Sequence, residues 1–73
     1  MLMNGEEFIK QVKKLGKTTG IPVRFEPRHG KGSHGRLYYG SNFTTVKDRK
    51  KEIRVGLLHA MLKQLGLNLN DIL

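Results

Sequence analysis

The stretch IPVRFEPRHGKGSHGRLYYGSNFTTV, residues 21 to 46, decides the fold, because its apolar residues recur with the period of a strand. Ile21, Val23 and Phe25 alternate with polar neighbours, and Pro22 and Pro27 suit an edge strand and its exit. Residues 34 to 39 alternate again, with Leu37 and Tyr39 on one face and His34, Arg36 and Tyr38 on the other. Gly40-Ser41 suits a two-residue hairpin turn of type II′. Asn42 to Val46, with its Phe and Thr residues, returns as a third strand. Between the first two strands lies Arg28-His29-Gly30-Lys31-Gly32-Ser33, a basic segment rich in turn formers.

Outward from the strands the period changes to that of a helix. Residues 4 to 16 place Phe8, Ile9, Val12 and Leu15 in one apolar stripe. Asn4 is the expected N-cap, Glu6 and Glu7 suit the first turn, and Gly16 is the expected stop. Lys10, Lys13, Lys14 and Lys17 project from the opposite side, either as a solvated face or as a ridge facing phosphates. On the far side of the strands, residues 47 to 52 form a charged connection, Lys-Asp-Arg-Lys-Lys-Glu. A second helix is expected from about Gly56 to Gly66, with Leu57, Leu58, Met61, Leu62 and Leu65 on one arc and His59 and Lys63 exposed opposite. Asn68 to Leu73 suits one last helical turn capped by Asn68 or Asn70.

The order is α-β-β-β-α, an α+β fold. A three-stranded antiparallel sheet with both helices on one face buries both apolar stripes and leaves the other sheet face open. This arrangement resembles the double-stranded-RNA-binding domain. The whole chain, residues 1 to 73, reads as a single domain, and one so short has a simple core.

Lys and Arg number 14 against 6 acidic residues, a net charge of +8. Such a field favours polyanions: nucleic acid first, then an anionic membrane surface or an acidic protein. There is no cysteine, so disulfides and thiolate metal sites are excluded. No signal-peptide pattern and no apolar run of spanning length stands in the chain, so the expectation is a soluble, cytoplasmic protein.

No paired carboxylates, phosphate-loop context or zinc spacing appears, and neither a metal nor a cofactor is expected. Asp48 and Glu52 sit in a cationic loop and read as salt-bridge partners. The constellation that can carry chemistry is Gly32-Ser33-His34, flanked by Lys31 and Arg36. A histidine titrates near neutrality and can take or give a proton. RNA cleavage uses such a group well, because the substrate supplies its own nucleophile, the 2′-OH beside the scissile phosphate. Nearby cations can stabilise the phosphorane charge, glycines let backbone approach the phosphate, and Ser33 offers a hydroxyl and an amide. Chemistry alone leaves His34, His29 and His59 all as candidates.

Two motifs narrow the choice. Lys31-Gly32-Ser33-His34 opens the second strand, and Gly56-Leu57-Leu58-His59-Ala60-Met61-Leu62-Lys63-Gln64-Leu65-Gly66-Leu67 forms the late helix. Together, in a basic chain of this size, they resemble the HicA family of toxins from type II toxin–antitoxin systems. The resemblance covers nearly the whole chain. It implies a metal-independent endoribonuclease that cuts mRNA and halts growth, with His34 as the catalytic histidine. It also implies an antitoxin of the HicB family that covers the active site. The chain departs from the pattern at Val55, where proline is frequent, and in Val46 to Lys51, which carries no histidine. A second proton carrier would have to be His29, a lysine or water.

The alternative is a non-catalytic RNA-binding module. On either reading Lys31, Gly32, Ser33, Arg36, Lys47, Arg49, Lys50 and Lys51 are the expected RNA contacts.

Overall fold

The computed structural model describes residues 3–28 and 34–73. The elements run α1 (Gly5–Thr19), β1 (Val23–Pro27), β2 (Gly35–Tyr39), β3 (Asn42–Val46), α2 (Val55–Leu65) and α3 (Leu69–Ile72). The strands form one antiparallel sheet in the order β1-β2-β3. The α+β architecture expected from the periodicities is the one observed.

Register follows from alternation. Leu37, Tyr39, Thr44 and Val46 are buried on one face and meet Phe8, Ile9 and Val12 of α1 and Leu58, Met61, Leu62 and Leu65 of α2 in a common core. A one-residue slip would turn the Leu37 set out to solvent, so the pattern fixes the pairing. Tyr39 pairs with Asn42 across the two-residue turn, and Gly40 has φ 61°, the positive value a primed hairpin turn needs. Asn42 ties this turn to the end of α2, its Nδ2 donating to the Leu65 carbonyl at 3.1 Å.

Helix α1 begins as expected. The Asn4 side chain accepts from the Glu7 N–H at 2.8 Å, and the Glu7 carboxylate accepts from the Asn4 N–H at 3.0 Å. It does not end at Gly16. The helix runs on to Thr19, and Gly20, with φ 76°, is the left-handed cap. Gly16 serves packing instead: a Cβ there would sit 2.4 Å from Val23 Cγ2 and 2.7 Å from the Ile21 carbonyl oxygen. The extra turn reaches the sheet, where the hydroxyls of Thr19 and Tyr39 lie 3.0 Å apart.

Helix α2 starts at Val55 and ends on Gly66 with φ 77°. Its buried arc is Leu58, Met61, Leu62 and Leu65, while His59 and Lys63 are exposed as expected. Leu57 does not join the arc. It lies 49% exposed at the rim of a cleft it shares with Met61, Ile53 and the 47–52 connection. In α3 the Asn68 N–H donates to Asp71 Oδ2 at 2.8 Å, and Ile72 closes the core beside α1.

The charged connection is not a free loop. It crosses the N-terminus of α1, where the Gly5 and Glu6 N–H groups donate to the carbonyls of Lys51 and Arg49 at 3.2 and 2.8 Å. These are donors that a helix start leaves without an internal partner. Asn4 forms a bridge with Glu52, and the Ile53 N–H donates to the Met3 carbonyl at 2.8 Å. Gly5 permits the crossing, since a Cβ there would meet Arg49 Cα and the Asp48 carbonyl oxygen at 2.8 Å.

Candidate nucleic-acid interface

His34 stands one residue before β2 and is exposed. Its carbonyl accepts from the Arg28 N–H at 2.9 Å, which carries the β1–β2 ladder one step past the Pro27–Gly35 pair. Alternation then puts His34 on the side of Arg36 and Tyr38, away from the helices. Gly35 pairs with Val46, so Lys47 is the residue opposite His34 at this end of the sheet. Arg28 and Arg36 line a depression of about 310 Å³ there, with Glu26 and Pro27. The end of the sheet thus brings together an exposed imidazole and several cations.

The other expected contacts divide. Lys47, Lys50 and Lys51 are exposed on the connection that α1 holds in place. Arg49 is half-buried, and its guanidinium lies 5.1 Å from the centre of the Phe25 ring. Phe25 faces the core, so Arg49 is drawn to the helix side of the same sheet end. Asp48 Oδ1 accepts from the Lys50 N–H at 2.9 Å and shapes the turn. Lys31, Gly32, Ser33 and His29 lie outside the described residues. The lysines of α1, Lys10, Lys13, Lys14 and Lys17, are exposed, and His59 lies exposed on α2.

The open sheet face holds a group that residue-by-residue reading missed. Arg24, Tyr38 and Phe43 are cross-strand neighbours in one row. The Arg24 guanidinium lies 4.3 Å from the Tyr38 ring centre, and the Tyr38 and Phe43 rings are 5.6 Å apart, tilted at 44°. Arg36 reaches diagonally to the Phe43 ring at 4.8 Å. Arg24 also pairs with Glu26, but both side chains are at least half exposed and the pair adds little stability. The signal was in the sequence: strand alternation puts Arg24 and Phe43 on the polar face, and the register places them beside Tyr38.

Among the described residues, no three His, Cys, Asp or Glu side chains gather to hold a metal ion, and no helix is long and apolar enough to cross a membrane.

A family model described as the HicA toxin of bacterial toxin–antitoxin matches residues 5–67, from the first residue of α1 to just past α2. No curated protein and no solved structure gives a match. The family match takes in all three strands, both longer helices and the whole end of the sheet around His34. The chain therefore belongs to the HicA family, as the toxin of a toxin–antitoxin pair, and an antitoxin is its partner.

Proposed function

We propose that this toxin is an endoribonuclease that cuts mRNA without a metal, with His34 as general acid or base. The observation that carries the reading is the place of His34: exposed at the end of β2, on the open side of the sheet, beside a depression lined by Arg28 and Arg36. In the reaction the 2′-oxygen attacks the adjacent phosphorus and the bond to the 5′-oxygen breaks. A proton leaves the 2′-OH and a proton reaches the departing oxygen, giving a 2′,3′-cyclic phosphate and a 5′-hydroxyl. His34 suits either transfer, because an imidazole can both accept and donate a proton. The guanidiniums of Arg28 and Arg36 offer charge-assisted hydrogen bonds to the phosphorane oxygens. Ser33 and the glycines before it, with Lys31, would complete the phosphate contacts, and His29, a lysine or water would carry the second proton.

The partner fits by charge. A toxin of net charge +8 invites an acidic antitoxin, here of the HicB family, that covers the same cationic end and blocks RNA. An mRNA substrate places the activity in the cytoplasm.

Purified protein incubated with RNA in EDTA tests the reading. New 5′-hydroxyl ends that vanish with His34→Ala are the expected result. Intact RNA that shifts on a gel without being cut would instead assign the chain to non-catalytic RNA binding.

A further inference from the structure

Phe43 is 44% exposed on the open face of the edge strand β3, and nothing about the core requires a ring there. It stands in a continuous layer of flat groups. Arg24 lies on Tyr38, Tyr38 stands beside Phe43, and Arg36 lies on Phe43. We propose that this layer is a stacking platform for the unpaired bases of single-stranded RNA, which feeds the strand toward His34. The proposal rests on the ribonuclease reading for the fate of the strand, not for its binding.

Three features select this occupant. Bases stack on aromatic rings and on guanidinium planes alike, and both kinds of surface are present in contact with one another. The face carries Arg24 and Arg36 against the single carboxylate of Glu26, in a chain of net charge +8, so it complements a polyanion. It is also continuous with the cleavage end: His34, Arg36 and Tyr38 alternate along one side of β2, and Tyr38 lies about 13 Å from His34 at the ordinary strand rise. That is a span of a few nucleotides. A base on Tyr38 or Phe43 would leave the phosphates further along the strand over the depression lined by Arg28 and Arg36. A duplex hides its base faces, so it gains nothing from the rings.

The test uses short RNAs carrying 2-aminopurine, whose fluorescence falls when the base stacks, bound to the full chain with His34→Ala to prevent cutting. The single strand is expected to be quenched on binding and to bind more tightly than its duplex. Phe43→Ala should abolish quenching and weaken single-strand binding on the order of tenfold, with an unchanged salt dependence. Phe43→Trp should restore both, which separates stacking from folding. Several results would overturn the platform: quenching and affinity unaffected by Phe43→Ala, a duplex bound as tightly as the strand, or an effect of Phe43→Ala on the antitoxin complex with none on RNA. If wild-type protein cuts RNA while any of these holds, the ribonuclease reading stands and the platform falls. Quenched, Phe43-dependent binding by a wild-type protein that never cuts RNA would keep the platform and remove the nuclease.

Discussion

The Glu6 N–H donates to the Arg49 carbonyl at 2.8 Å, and this contact joins the start of α1 to the most basic segment of the chain. With the Gly5–Lys51 bond it sets the path on which Lys47, Lys50 and Lys51 stand exposed. The crossing is close enough to require glycine at position 5, because an added Cβ would meet backbone atoms of Arg49 and Asp48 that cannot rotate away. Gly5→Ala should therefore lower stability by about 1–3 kcal/mol, although alanine is the better helix former. Urea unfolding measures it, and an unchanged midpoint would show that the connection yields at little cost.

Gly16 and Gly56 make a matched pair for a second prediction. Both are helical, but a Cβ at Gly16 would strike Val23 and the Ile21 carbonyl, while at Gly56 nothing lies within 4 Å. Gly16→Ala should cost about 1–3 kcal/mol through overpacking. Gly56→Ala should add about 0.4–1 kcal/mol by restricting the unfolded chain. Thermal unfolding of the two variants should move the midpoint in opposite directions.

These glycines also show where sequence stops informing. The strands were legible because a buried face imposes a period of 2, and Leu37, Tyr39 and Val46 obey it. The Asn4 cap was legible because its chemistry is local. Gly16 was not: a glycine after an apolar stripe reads as a stop, and only the approach of β1 reveals that it is a contact. Leu57 misled for a similar reason, since its place at the edge of the arc became exposed once α2 settled on β3. The docking of the charged connection left no trace, because backbone carbonyls do the accepting and carry no residue signature. At the site, His34 and its face could be read from alternation. The Arg24–Tyr38–Phe43 row needed the register between strands.

His34 provides the functional prediction. Its side chain is exposed, so His34→Ala should leave the chain folded while removing growth arrest and RNA cleavage. The comparison is made at equal expression, with circular dichroism to confirm the fold. A variant that folds, accumulates and still arrests growth would move the chemistry to another residue, with His29 the next candidate.

The exposed lysines of the connection should act through charge alone. Lys50 and Lys51 stand exposed on the connection at the sheet end. If each neutralises one phosphate of a single strand, replacing both by alanine should flatten the slope of log affinity against log salt by roughly 1.4. The loss should be nearly uniform across RNA sequences, because phosphates are alike whatever base they carry. Arg49 should behave differently. Its guanidinium rests on Phe25 at the helix side of the sheet, so Arg49→Ala should lower the unfolding midpoint more than it changes the salt slope. Titrations at several salt concentrations, run beside urea unfolding, distinguish the two behaviours. An Arg49→Ala variant with full stability and a flattened slope would place that guanidinium on RNA instead of on the ring.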